Sequence, residues 1–488
     1  MDDNRTPSQN SDRPKLDEVL ARAVIALPLL TKIEEDPARP EFVIIDVNLR
    51  YAEGRGSAKE RVYKLIDLAV GAAGDRDVKQ SVSKYKSEAS QQYVYAQLQG
   101  KVIRKLVDLD QESPTRAIYH VWPDFIVRAQ IWKSVPTVKA DACRRAFAAS
   151  GKGVLWAVLD SGIDSSHPHF VKHKNLTDLP APVQHMDFTQ DPPAIVASPI
   201  DDYGHGTHVA GIIAGEMEEG APTPPVAIVR ARDTAGKVTY QPDPNAGAAV
   251  SVAPECKLVS FKVLDQNGQG PISNVIAAID KIQEINGFGR EIVVHGVNLS
   301  VGYDFDAEWF ACGQSPVCVE VNRLVKSGLS VVIAAGNSGR GIELTINDPG
   351  NAELAITVGA THREMPHTYG VSYFSSKGPT GDGRRKPDLL APGEKIVSCG
   401  AGPDLQTFKT KAGLDGKPGA YYIERSGTSM AAPHVSGVIA GLLSVRGEFK
   451  GRPEEIKKLL MDTATDLARD PCFQGRGLVD MMRAIQAI

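Results

Sequence analysis

The sequence predicts an α/β fold, in which a mostly parallel sheet is flanked by helices and is preceded by a small α+β domain. Continuous apolar runs of strand length, such as residues 154–159 and 257–264, are typical of strands buried on both faces of a parallel sheet. An apolar run at helical spacing follows Ser429. With 488 residues, the chain is long enough for two or three domains and a large core.

The first part of the chain divides into two segments. Residues 1–40 are polar and contain several prolines, which predicts a flexible N-terminal lead with one helix over residues 15–30. Residues 41–133 alternate strand-like and helical segments, and Ser57 with Glu60 forms a capping box at a helix start. This alternation predicts a small α+β domain of ordinary size.

Three polar residues further along stand where catalytic groups are expected. Asp160 ends the apolar run 154–159, and functional side chains project from the carboxyl ends of parallel strands. His205 lies between glycines before an apolar helix, and Ser429 begins another helix, where unpartnered N–H groups can stabilise an oxyanion. Taken singly, each also fits a capping or surface role. A metal site at His205 and His208 is disfavoured because no third ligand stands nearby.

These residues lie in segments that resemble the signature blocks of the subtilases, the subtilisin-like serine peptidases. The blocks are DSGIDSSHP from Asp160, HGTHVAG from His205 and GTSMAAPHVSG around Ser429, in that order along the chain. A fourth segment, AAGN, ends at Asn337 and resembles the family's oxyanion-hole segment. The resemblance covers residues 134–488 and implies a subtilisin-like peptidase domain there. It further implies a serine endopeptidase that works through a Ser-His-Asp triad and an acyl-enzyme, with Asn337 as an oxyanion donor.

The resemblance also implies where an extended protein or peptide substrate binds. Gly270 lies on one edge of the substrate site, and Ser300, Val301 and Gly302 lie on the other. Main-chain pairing between two edges implies broad specificity. Without the triad, the two glycines are equally typical of turns.

Other functions use the same residues. An esterase or a peptide ligase would pass through the same acyl-enzyme, although ligases often replace the serine with cysteine and this chain keeps Ser429. A catalytically silent binding scaffold would normally have lost a member of the triad, and all three members are present.

The position of residues 41–133 before the peptidase domain resembles that of a subtilase prodomain. Such a domain leaves its C-terminal end in the active-site cleft, which implies inhibition in cis and a zymogen. The alternative is a permanent domain that binds an unknown protein partner.

The resemblance departs from the family pattern at a calcium site. His169 stands where many subtilases carry an aspartate ligand, and imidazole is a poor ligand for calcium. We therefore assign no metal ligand and expect no required cofactor; calcium binding remains open, with the usual strong site in doubt. Two insertions, residues 216–250 and 405–422, are expected to be surface excursions or a lid.

Net charge, apolar runs and cysteine distribution indicate which partners and which cellular compartment to expect. The net charge of -4 gives no electrostatic footprint for nucleic acid or an anionic membrane. No secretory signal or run of membrane-spanning length is evident, and the six cysteines are scattered, which predicts a cytoplasmic protein with reduced thiols. Cys312 and Cys318 are close enough in sequence to pair, but two free thiols are favoured.

Overall fold

A computed structural model describes most of the chain. The described residues are 24–90, 92–123, 134–233, 236–243, 249–304, 311–340 and 344–488. The chain divides into two compact units, Met1–Arg128 and Ala129–Ile488. The division falls close to the boundary at residue 133 that the sequence predicts.

The N-terminal unit is a four-stranded antiparallel sheet with helices on one face. Its strands are β1 Pro40–Val47, β2 Ser81–Val82, β3 Tyr93–Gln99 and β4 Ile118–Pro123, in the order β2-β3-β1-β4. Its helices are Leu27–Glu35, Gly54–Ala73, Lys84–Ala89 and Gly100–Gln111. Val43 and Leu98 on the sheet share a buried core with Leu65 and Leu106 on the helices.

The expectation of a flexible lead is wrong for residues 24–40. Ile25, Leu29 and Ile33 are fully buried in the core of this unit. Within the described residues a helix runs over Leu27–Glu35, and Pro28 stands in its first turn, where proline is tolerated. Residues 15–23 of the helix predicted over residues 15–30 lie outside the described residues. Residues 1–23 of the predicted lead lie outside the described residues.

The second unit is built on an eight-stranded, mostly parallel sheet in the order β14-β13-β12-β11-β5-β10-β6-β7. Only β6 and β7 pair antiparallel. The strands are β5 Leu155–Asp160, β6 Met186–Asp187, β7 Ala194–Ile195, β10 Lys257–Lys262, β11 Gly296–Leu299, β12 Ser330–Ala334, β13 Ile356–His362 and β14 Leu389–Glu394. The predicted α/β fold with a mostly parallel sheet is thus confirmed.

Helices cover both faces of this sheet and enclose two buried cores. The helices of the unit are Ser134–Thr137, Ala140–Phe147, His205–Ile213, Ile272–Ile285, Pro316–Lys326, Pro366–Tyr369, Gly402–Lys411, Thr428–Val445, Pro453–Thr463, Pro471–Gln474 and Met481–Gln486. His205–Ile213 and Thr428–Val445 pack on one face, and Ile272–Ile285 and Pro316–Lys326 pack on the other.

A second sheet of this unit includes two strands of the first predicted insertion and a strand that begins at the end of the second. Its strands are β8 Pro225–Arg232, β9 Val238–Asp243, β15 Ile396–Cys399 and β16 Ala420–Arg425, in the order β15-β16-β8-β9. Residues 234–235 and 244–248 of the first insertion lie outside the described residues.

One helix corrects the expectation that no segment reaches membrane-spanning length. Thr428–Val445 is long and apolar enough for that, but 89% of it is buried inside the protein. Burial of this extent is typical of a core helix.

Candidate active site

Asp160 and His205 meet at the carboxyl end of the parallel sheet. Asp160 is the last residue of β5 and is fully buried, and its Oδ1 lies 2.8 Å from His205 Nδ1. The backbone N–H of Ser161 also donates to this oxygen, at 2.8 Å. Since the carboxylate accepts at Nδ1, the imidazole carries its proton there and keeps Nε2 available as a base.

A second carboxylate, Asp201, holds the start of the histidine helix. Its Oδ1 accepts from Gly204 N–H at 2.7 Å and from Ser161 Oγ at 2.8 Å, and its Oδ2 accepts from Thr207 N–H and Oγ1. These bonds tie the loop after Asp160 to the loop before His205. Asp201 is not among the predicted site residues, although an acidic side chain just before a helix start is a recognisable signal.

Ser429 is the second residue of the helix Thr428–Val445, as predicted for a residue at a helix start. The preceding Gly427 is extended, and the helix then runs beneath strands β11 to β14. In the structure the Ser429 hydroxyl donates to the Ser300 carbonyl, with an Oγ–O distance of 3.1 Å. His205 and Ser429 line the same cleft.

Asn337 is oriented by the residue beside the serine. Its Oδ1 accepts the backbone N–H of Thr428 at 2.9 Å and the Thr428 hydroxyl at 3.2 Å. The same hydroxyl accepts the N–H of Gly336 at 3.1 Å. Because Oδ1 is occupied, Nδ2 is the amide donor that remains, and Asn337 lines the cleft.

The cleft has a volume of about 540 Å³ and contains the predicted substrate-binding residues together. Gly270 lines it, as do Ser300, Val301 and Gly302. A side chain at Gly270 would place its Cβ 2.2 Å from the Val263 carbonyl oxygen, so this close backbone approach requires glycine.

Asn347 also lines the cleft. Its Nδ2 donates to Asp304 Oδ1 at 3.2 Å, and Ser338, another lining residue, has its Oγ 3.4 Å from the same oxygen. The segment after Asn337 thus reaches the cleft through these two residues.

The other histidines near the site have structural partners. His208 is fully buried, and its Nε2 lies 3.0 Å from the Ile423 carbonyl oxygen. Burial lowers its pKa well below the usual value, so it is neutral. Among the described residues, no group of three or more His, Cys, Asp or Glu side chains could hold a metal ion.

His169, at the position of the usual calcium ligand, is packed among rings. It is fully buried, Nδ1 lies 3.3 Å from the Tyr422 hydroxyl, and the Phe170 and His167 rings pack against it. Burial lowers the pKa of His169 to about 3. Calcium needs six to eight oxygen ligands, and a neutral imidazole among aromatic rings does not fit that requirement.

Comparison with known proteins gives consistent matches. Residues 151–477 match the model of the subtilase family, Peptidase_S8. The serine protease AprX of Bacillus subtilis strain 168 is 31% identical over 344 residues, which cover 69% of this chain and 67% of that protein. Subtilisin E of the same strain is 27% identical over 448 residues, with 89% and 93% coverage.

A solved structure of a cold adapted subtilisin-like serine proteinase also matches the chain. Its TM-score is 0.44 and its sequence identity is 26%, and the match covers 68% of this chain and 88% of that one.

Proposed function

Because this chain belongs to the subtilase family and is a subtilisin-like serine endopeptidase, we propose that Asp160, His205 and Ser429 are its catalytic triad. The observation that carries the proposal is the 2.8 Å bond between Asp160 and His205, at a cleft that His205 and Ser429 both line. This arrangement supplies a nucleophile, a base and a carboxylate that orients the base.

The proposed reaction is acyl transfer to water. His205 Nε2 takes the proton of Ser429 Oγ as that oxygen attacks the peptide carbonyl, and Asp160 stabilises the imidazolium. The imidazolium then protonates the leaving amine, which departs. His205 next takes a proton from water as the water attacks the acyl-enzyme. It then returns that proton to Ser429 Oγ as the ester bond breaks, which releases the acid and restores Ser429 and neutral His205.

Substrate binding prepares the nucleophile in this proposal. The Ser300 carbonyl accepts from the Ser429 hydroxyl and belongs to one of the two edges that we propose pair with the substrate backbone. A substrate N–H that takes this acceptor frees the hydroxyl to turn toward His205. Two donors, Asn337 Nδ2 and the Ser429 N–H, then stabilise the oxyanion.

The test compares the wild-type chain with Ser429→Ala and with Ser166→Ala, a matched control at an exposed serine. We expect Ser429→Ala to abolish casein hydrolysis and labelling by a fluorophosphonate, and Ser166→Ala to keep both. Normal hydrolysis by Ser429→Ala would refute the triad. Loss of activity in both variants would show that the assay does not report on Ser429.

We further propose that the N-terminal unit is a prodomain that inhibits the enzyme in cis. An alignment that covers 89% of a 488-residue chain cannot be contained in residues 129–488, so the similarity to subtilisin E extends into this unit. The unit has its own core. The sheet face opposite its helices carries exposed Phe42 and Trp122, a surface suited to another folded domain.

Intact mass during incubation tests this proposal. If only the wild-type chain loses a fragment that ends near Ser134, and Ser429→Ala stays whole, the chain is a self-cleaving zymogen. If both stay whole while the wild type hydrolyses casein, the N-terminal unit is a permanent domain for an unknown partner. The segment in which we expect cleavage, residues 124–133, lies outside the described residues.

Cytoplasmic location and independence from calcium complete the proposal. The absence of disulfides among the six cysteines, all within the described residues, supports a reducing compartment. The packing of His169 supports calcium independence, because it leaves no set of oxygen ligands at the usual calcium position. We expect EDTA to leave both activity and Tm unchanged. A large fall in Tm that added calcium reverses would refute calcium independence.

A further inference from the structure

The two insertions form one structural element rather than two separate excursions. Strand β16 pairs in parallel with β8 from the first insertion, and the helix Gly402–Lys411 packs on β16 and β9. Ile228, Phe408, Tyr421 and Ile423 form a buried core of their own. We name β8, β9, β16 and this helix the inserted lobe.

The inserted lobe borders a second cavity at the nucleophile. This cavity, of about 330 Å³, is lined by His205 and Ser429 on one side and by Arg230, Phe408 and Arg425 of the lobe on the other. None of the proposed substrate-edge residues, Gly270 and residues 300–302, lines it. If the acyl part of a substrate occupies those edges, its leaving-group part passes through this second cavity.

Arg230 is the cation of this cavity that is best placed to meet a substrate. Arg425 is already paired, since its Nε donates to Asp404 Oδ2 at 2.7 Å. Arg230 keeps 38% of its side chain exposed, and its Nε lies 3.6 Å from Glu424 Oε1. Glu424 is shared with Arg363, which lies 4.0 Å from its other oxygen. The Arg230 guanidinium therefore retains N–H donors for a further carboxylate.

Arg230 also lines the next cavity along the lobe, of about 780 Å³. The charged side chains there, besides Arg230 and Glu424, are Arg232, Lys395 and Glu394. Cations thus outnumber carboxylates in this larger cavity, by three to two. A guanidinium at the junction of two cavities can reach a substrate side chain a few residues beyond the scissile bond, since an extended strand rises about 3.3 Å per residue.

We propose that Arg230 selects substrates with an acidic side chain at the second or third residue after the scissile bond. The inference rests on the proposed function and names a substrate class for it. The guanidinium donates two hydrogen bonds to the substrate carboxylate, and the inserted lobe places it on the cavity that Ser429 also lines.

Quenched peptides that differ only at those two positions, with Asp, Asn or Lys, test the proposal. We expect the wild type to favour Asp over Lys by about tenfold in kcat/KM, as for a partly exposed charge-assisted pair. Arg230→Gln should remove the preference and still cleave the Asn peptide, and Arg230→Glu should reverse it. Lys237→Glu makes the same charge change as Arg230→Glu, at an exposed site of the β8–β9 hairpin. It should keep the wild-type preference for Asp over Lys.

The outcomes separate this inference from the proposed function. Fluorophosphonate labelling of Ser429 confirms that each variant is folded and has a working nucleophile. Cleavage by Arg230→Gln and Arg230→Glu with the wild-type ratios would overturn the role of Arg230 alone. Absence of any Ser429-dependent cleavage by the wild type would overturn the proposed triad, and this inference with it.

Discussion

The oxyanion donor depends on a residue that makes no direct contact with the reacting atoms in our mechanism. Thr428 fixes the Asn337 amide through its N–H and its hydroxyl. We expect Thr428→Val to lower kcat about tenfold, because the backbone bond remains, whereas Asn337→Ala lowers it about 100-fold or more. Steady-state kinetics on a peptide substrate measures both.

A variant that combines Thr428→Val with Asn337→Ala tests whether Thr428 acts only by positioning Asn337. If Thr428 acts only through Asn337, adding Thr428→Val to Asn337→Ala should change kcat very little. A further tenfold loss would mean that the threonine acts independently of the amide. If both single variants have the Tm of the wild type, unfolding is excluded as the cause of their lower kcat.

The buried histidine behind the nucleophile is expected to make the fold sensitive to acid. His434 donates from Nδ1 to the Met430 carbonyl at 2.8 Å, and burial lowers its pKa to about 4. Between pH 6.5 and about 4 the unfolded chain therefore binds a proton that the native chain does not. The free energy of unfolding consequently falls as the pH falls through this range, by roughly 2 to 3 kcal/mol for this residue.

Chemical denaturation at pH 6.5 and pH 4.5 checks this prediction in a Ser429→Ala background, which prevents autolysis. His434→Gln should lose less stability between the two pH values than its parent does. His367→Gln, at an exposed site, should behave as the parent. An unchanged pH dependence in His434→Gln would contradict the prediction.

At this scale the sequence identifies the residues that meet at the candidate site better than the residues that support them. Asp160, His205, Ser429 and Asn337 lie in local patterns that resemble family blocks, and the structure brings all four to one place. The bond between Asn337 and Thr428 joins residues far apart in the chain. Such a bond depends on tertiary packing, so no local sequence pattern predicts it.

The helix that carries Ser429 packs closely enough against its surroundings to require a glycine. A Cβ added at Gly437 would lie 2.5 Å from Val252 Cβ. We expect Gly437→Ala to lower the free energy of unfolding by about 1 to 3 kcal/mol, because a packed core resists added volume. Gly447→Ala, where an added Cβ meets nothing within 4 Å, is the matched control. Equal stability of the two variants would show that the helix can shift.

At the scale of elements, local signals predict strands and helices but not their partners. The apolar runs over residues 154–159 and 257–264 locate two strands of the parallel sheet. Composition alone indicates surface excursions at residues 216–250 and 405–422. The pairing of β8 with β16 joins the two insertions, although these strands lie far apart in the chain. Bringing distant segments together costs chain entropy, and a local sequence pattern does not reveal which segments pair.

The whole molecule combines two separately cored units with six cysteines and no disulfide. Cys312 and Cys318, the pair that sequence spacing left open, are both buried thiols. Burial raises the pKa of Cys143 and Cys318 to about 12, which suppresses the reactive thiolate. Cys472 is the only one of the six that is partly exposed.

Thiol titration of the whole chain follows from this distribution. In the Ser429→Ala variant, we expect Ellman's reagent to modify at most one thiol rapidly in the folded protein. All six should react after unfolding in guanidinium without reductant. Cys472→Ser should remove the rapid phase, since the other five thiols react only when the fold opens. Four reactive thiols in the unfolded chain would instead indicate a disulfide, and would also weaken the argument for a reducing compartment.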